Sequence, residues 1–262
     1  MRTPMRLALL ATSAALVATG VGATSAQAED GGSGDITIDK VVVNGGKPVV
    51  VGVSNVVKAK VTVTASDDSG IKETTYMSAY GPNPNYDQIW YDDGEITCAK
   101  VSATTSTCTG TLTFDPTGWG SAINGNSAAG NWRLATLVSA YDYDYIHRDA
   151  AATFKVQRLS KLTVNASPEP VKKGKTLTVT GKLSRANWDT GTYTGYAGQK
   201  VTLQYRKKGS STYTNVKGIT TSSTGTLKTT VTASADGYYR FHFAGTTTTP
   251  AVAAAGDYVD VQ

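Results

Sequence analysis

Apolar side chains recur on every second residue along much of this chain, and clusters of turn-forming residues interrupt each run. In Lys58–Ala65, the residues Ala59, Val61, Val63 and Ala65 share one face. Farther on, Trp132, Leu134, Thr136, Val138 and Ala140 share another. A period of two is the repeat of a half-buried β-strand, because successive side chains leave a strand on opposite faces. Asn44-Gly45-Gly46-Lys47-Pro48, Asp67-Asp68-Ser69-Gly70 and Gly81-Pro82-Asn83-Pro84-Asn85 read as turns between such strands. Thr, Val, Ser, Gly and Tyr are abundant and charged residues are sparse, which favours strands and turns over helices. The expected fold is all-β.

The strands fall into two groups. Strands over 36–43, 49–53, 58–65, 71–80, a hairpin of 95–101 with 107–114, and strands over 132–140 and 152–156 form a first module over 36–158. A long connection over 115–130 lies within it. Strands over 162–164, 176–180, 201–206, 212–219, 226–232, 238–244 and a final one at 258–262 form a second module over 159–262. The segment 184–198 is expected to be a loop carrying Trp188, Tyr193 and Tyr196. About seven short strands with regular turn signals suit a β-sandwich in each module. Charge divides at the same place. Residues 29–158 carry 10 basic and 15 acidic side chains, net −5, whereas 159–262 carry 13 and 5, net +8.

Residues 1–28 read as a cleaved secretory signal peptide. Arg2 and Arg6 make a basic start, Leu7–Val17 a short apolar core, and Ala26-Gln27-Ala28 a small-residue cleavage site. The apolar run is too short to span a bilayer, and no other segment is long and apolar enough. Residues 29–35 are expected to be a flexible Gly-rich spacer. The expected localisation is secreted and extracellular. Cys98 and Cys108, an even pair in an exported chain, are expected to form a disulfide that staples the 95–114 hairpin.

Two stretches resemble bacterial immunoglobulin-like modules. Ala65-Ser66-Asp67-Asp68-Ser69-Gly70-Ile71, with Gly130-Asn131-Trp132-Arg133-Leu134 and Ala140-Tyr141-Asp142, is similar to the turn and Trp-bearing strand of such repeats in secreted surface proteins. Asp236-Gly237-Tyr238-Tyr239-Arg240-Phe241, supported by Gly198-Gln199-Lys200-Val201-Thr202-Leu203-Gln204-Tyr205-Arg206, resembles the turn into strand F, where a Tyr packs at the corner between sheets. Neither module has the paired Cys of antibody domains. The resemblance implies two tandem immunoglobulin-like sandwiches serving adhesion, spacing or ligand presentation. Fold alone does not choose among these.

Three chemistries are expected from the side chains. In an immunoglobulin-like first module Asp67 and Asp68 lie in the B–C loop, and Asp142, Asp144 and Asp149 lie in or beside the F–G loop at the same end. Clustered carboxylates suit Ca²⁺, which takes 6–8 oxygen ligands, with Arg148 as the alternative offset to their repulsion. An ion there would lie at the end opposite the second module. Rings at Trp188, Tyr193 and Tyr196, beside Lys182 and Arg185, suit a glycan, as do Tyr76, Tyr80, Tyr86, Trp90 and Tyr91. The alternative is that such loops fold their aromatics inward. Lys172, Lys173, Lys207 and Lys208 suit an anionic cell-wall polymer. Outside the cell, nucleic acid is not an expected partner. The charges at Arg206–Lys208 would equally protect a sheet edge.

Enzyme activity is not expected. The chain has two histidines, His147 and His242, in different modules, and no nucleophile elbow or metal-binding helix. The expected function is a non-enzymatic binding or structural protein of the cell envelope or extracellular polymer. A calcium-binding structural protein and a soluble protein-interaction module or inhibitor are the alternatives.

Overall fold

The computed structural model describes residues 30–85, 87–89, 96–117 and 123–262. The expected signal peptide and cleavage site, Tyr86, Trp90, Tyr91, Glu95 and part of the 115–130 connection lie outside the described residues.

The first module contains β1 (Gly31–Ser33), β2 (Thr37–Val43), β3 (Val49–Val51), β4 (Val57–Ser66), β5 (Ile71–Tyr80), β6 (Gln88–Ile89), β7 (Thr97–Lys100), β8 (Thr105–Phe114), β9 (Gly130–Ala140) and β10 (Tyr145–Arg158). One sheet runs β2-β4-β8-β7 and the other β1-β10-β9-β5-β6, with β3 parallel to the end of β10. That is the A-B-E-D and G-F-C-C′ pairing of an immunoglobulin-like sandwich. The alternation in the sequence does what a period of two requires. Ala59, Val61, Val63 and Ala65 are all buried on β4, facing Trp132, Leu134 and Val138 of β9 across the core. Thr136 shares that buried face because its hydroxyl donates to the Tyr76 carbonyl at 2.8 Å. At one end Phe114, Trp132 and Phe154 pack with ring centroids 5.4–6.3 Å apart, and the Trp132 indole N–H donates to Ala128 O at 2.8 Å.

The second module contains β11 (Ser160–Leu162), β12 (Asn165–Ser167), β13 (Thr176–Asn187), β14 (Thr192–Gly195), β15 (Lys200–Lys207), β16 (Thr214–Thr220), β17 (Thr226–Thr232), β18 (Gly237–Phe243), β19 (Val252–Ala253) and β20 (Asp257–Val259). Strand β13 carries β11 and β12 on one side and β14 and β17 on the other. The facing sheet runs β16-β15-β18, with β19 and β20 on the far edge of β18. Its core is built of Leu177, Val179, Leu183, Leu203, Leu227, Phe241 and Val259, all fully buried. A parallel bridge between Val171 and Val261 repeats the β3–β10 arrangement of the first module.

Three expectations change. The spacer over 29–35 is not free, because Gly31–Ser33 pairs antiparallel with Tyr145–His147 and so extends the sheet. The 184–198 loop is a hairpin, since β13 continues to Asn187 and β14 pairs with it. The corner of the second module is tied from strand β15 rather than β18. The Tyr205 hydroxyl, 3.0 Å from both Ala235 O and Asp236 O, donates to this pair of carbonyls, while Tyr239 packs beneath it at 4.9 Å.

The disulfide joins Cys98 and Cys108, which sit directly opposite on β7 and β8. It staples neighbouring strands of one sheet, as the spacing implied. No helix among the described residues is long and apolar enough to cross a membrane.

Candidate functional site

A group of carboxylates lies at the free end of the first module, a group of lysines at the far end of the second, and buried aromatic residues at the joint. At the free end of the first module three segments meet. The β4–β5 turn supplies Asp67 and Asp68, the β9–β10 turn supplies Asp142 and Asp144, and the segment before β2 supplies Asp35. Carboxylate oxygens of Asp35, Asp67 and Asp144 lie within 4.8 Å of one another, as do those of Asp67, Asp68 and Asp142. Asp35 was not legible as a member, because the sequence places it in a Gly-rich segment. Asp149 is not a member: its Oδ1 lies 2.9 Å from His147 Nε2. Arg148 does not offset the cluster, since its guanidinium turns to Asp30 at 3.8 Å and to the carbonyls of Gly31 and His147.

Trp188, Tyr193 and Tyr196 do not form an open glycan site. Trp188 is buried in the core of the first module, and its indole N–H donates to Gly52 O at 2.8 Å. Its own N–H donates to Asn126 Oδ1 at 3.0 Å, while the Asn126 amide donates to Asn187 Oδ1 at 2.8 Å and to Asp189 Oδ2. Tyr193 packs against the same core, with Lys161 Nζ 3.7 Å from its ring centroid, and desolvation pushes its hydroxyl pKa up. Tyr196 stacks on Arg185 at 3.7 Å and meets Phe243 edge-on at 5.8 Å. These rings are the joint between modules. Burial there also pulls Arg158 down to about 10, with Arg185 adding to the shift, and the Arg158 guanidinium donates through Nε to Ala186 O at 2.6 Å. Of the first module's expected cluster, Tyr76 meets His147 edge-on at 6.0 Å and Tyr80 lies under Arg133 at 5.2 Å.

The four lysines collect at the end of the second module away from that joint. Lys172 and Lys173 are exposed on the turn before β13, and the Lys173 N–H donates to Gln262 O at 2.8 Å. The neighbouring Val261 N–H donates to Asp236 Oδ1 at 2.9 Å, and Asp236 Oδ2 accepts from Lys208 Nζ at 3.2 Å. Lys207 is exposed at the end of β15. The Val261 N–H, then the Lys208 ammonium, hold the Asp236 carboxyl below its usual range.

Sequence reasoning missed the outer face of the β15–β18–β20 sheet. Strand alternation turns Gln204 and Arg206 outward on β15, Tyr238, Arg240 and His242 on β18, and Tyr258 on β20, all partly open to solvent. Arg240 lies 3.7 Å from the Tyr213 ring centroid, and Arg206 lies 4.0 Å from that of Tyr238, which contacts Tyr258 at 5.1 Å. The Arg240 Nε–H donates to Gln204 Oε1 at 2.9 Å. The alternation in Tyr238-Tyr239-Arg240-Phe241-His242 was the available signal.

No known family's profile matches the chain, and no curated protein matches it by sequence. Among solved structures it is similar to a DUF4785 family protein of Legionella pneumophila, at 16% identity and a TM-score of 0.33 over 79% of this chain and 51% of that one. It is also similar to the adhesin InvE of Yersinia pseudotuberculosis, at 13% identity and a TM-score of 0.28 over 84% of this chain and 58% of that one. The D00-D0 domain of intimin aligns at 12% identity with a TM-score of 0.28, over 84% of this chain and 99% of that one. The chain thus spans about half the length of the first of these structures. The immunoglobulin-like assignment rests on the strand pairing above.

Proposed function

We propose that the chain is a secreted, non-enzymatic binding protein of two tandem immunoglobulin-like modules. Its second module holds an anionic polymer of the bacterial envelope or extracellular matrix. The observation that carries this reading is the ladder of Arg206, Tyr213, Tyr238, Arg240 and Tyr258 on an outward sheet face, in a module of net charge +8 from 13 basic and 5 acidic residues. Aromatic faces stack on sugar rings, and stacked guanidinium groups present planar donors to carboxylate or phosphate. The exposed lysines at the adjoining end add long-range attraction. The basic start and cleavage site of residues 1–28 and the disulfide support export.

The test is co-sedimentation of the chain with purified cell walls at low and high salt. Salt-sensitive binding that falls severalfold in Arg206→Gln with Arg240→Gln is the expected result, since surface attraction is screened within about 10 Å at 0.1 M salt. Binding unchanged by that double substitution at low salt overturns the reading. Absence of wall binding, together with a stoichiometric protein captured from culture fluid, would replace it with the protein-interaction reading.

A further inference from the structure

Five carboxylates meet at the free end of the first module, and no ion pair among the described residues reaches any of them. Asp67 belongs to both groups of converging oxygens. It is only 4% exposed, so its carboxylate has been taken almost wholly out of water. Its Oδ1 accepts from the Ser69 N–H at 2.8 Å and the Ser69 hydroxyl at 2.6 Å, but its buried Oδ2 has no hydrogen-bond partner. A buried carboxylate oxygen without a partner costs free energy unless a cation or donor meets it. Carboxylate oxygens of four other aspartates gather around the Asp67 side chain, each within 4.8 Å of one of its oxygens.

We propose that Asp67, with Asp35, Asp68, Asp142 and Asp144, forms a Ca²⁺ site. The donor set is all oxygen, with no His or Cys, which selects a hard cation. Oxygens within 4.8 Å of one another can share one ion, because calcium–oxygen distances of about 2.4 Å place opposite ligands that far apart. Three separate segments supply them, so the ion ties the start of β2 to both turns. A cation also offsets the repulsion among carboxylates held this close together. The site lies beside Tyr145 at the start of β10, and the joint lies beyond Arg158 at its end. It therefore braces the free tip and leaves the joint untouched. None of this depends on the polymer-binding reading, which concerns the second module.

The experiment titrates the chelator-treated full chain with CaCl₂, read by calorimetry and by the melting temperature. The expected result is saturable binding with a dissociation constant in the range of about 10⁻⁴ to 10⁻³ M typical of extracellular modules, and a rise in melting temperature. Asp67→Asn keeps the Ser69 turn but removes the buried charge, and should weaken binding roughly tenfold or more. Asp142→Asn with Asp144→Asn, on the solvent-facing turn, should do the same and decides the matter if Asp67→Asn does not fold. Asp149→Asn, outside the cluster, should bind as the parent does. No heat and no melting shift in the parent up to about 10 mM calcium, or parent affinity in the Asp142/Asp144 double variant, overturns the proposal.

Discussion

Trp188 belongs to a hairpin of the second module but is buried in the core of the first, where its indole N–H donates to Gly52 O. A Trp in a segment rich in Gly, Thr and Tyr has the composition of an open binding loop. Its burial depends on a carbonyl at Gly52 and an amide at Asn126, neither near it in sequence. Trp188→Ala should cost about 3–5 kcal/mol, as for other buried Trp truncations. Differential scanning calorimetry should then resolve two melting transitions in place of one, because the modules lose their shared core. Asp236 makes a pH-dependent counterpart at the far end. Its folded pKa lies below its unfolded value. The stability it contributes is therefore present above the unfolded value and lost as pH falls through the folded one. Below about pH 4 the parent should lose stability more steeply than Asp236→Asn, as followed by acid-unfolding fluorescence.

Individual strands were largely legible, because a two-residue apolar period over a strand's length matches the repeat of no helix. The β4 and β9 patterns correspond to buried faces residue for residue, Thr136 included, its hydroxyl satisfied on a backbone carbonyl; the departure is Ala135, buried on the opposite face of β9. Pairings between strands were legible only where a short turn or the cysteines joined neighbours. The β7–β8 disulfide closes a short loop, and Cys98→Ser with Cys108→Ser should lower stability by about 2–3 kcal/mol in chemical denaturation. The meeting of β13 with the turn before β17 was hidden, since it depends on a close backbone approach. At Gly225 φ is +78°, and a Cβ would lie 2.3 Å from Leu183 O. Gly225→Ala should destabilise by at least about 1–2 kcal/mol, the cost of a left-handed backbone for an L-residue, and lower the melting temperature of the chain.

At the scale of the whole molecule, charge is arranged along one axis. The carboxylate cluster lies at one tip, the buried joint at the middle, and the lysines at the other tip. Substituting Lys172, Lys173, Lys207 and Lys208 with Gln should reduce cell-wall co-sedimentation at low salt and flatten its salt dependence, with no change in far-ultraviolet circular dichroism. The split between net −5 over 29–158 and net +8 over 159–262 was visible from counting residues. The acidic end was expected from the loop positions of Asp67 and Asp142, but the gathering of the four lysines at the far end of the second module was not.

By itself, the sequence determined the all-β class, most strand positions, the disulfide and the acidic and basic halves. Each follows from properties that neighbouring residues share: side-chain alternation, turn chemistry and local composition. Only the tertiary structure decided which aromatics are buried, that Asp35 joins Asp67 and Asp144 while Asp149 does not, and that Arg206, Tyr213, Tyr238 and Arg240 form one outward surface. Those facts depend on which strands lie side by side. Long-range pairing of that kind is set by the packing of the whole core, which no short stretch of sequence contains.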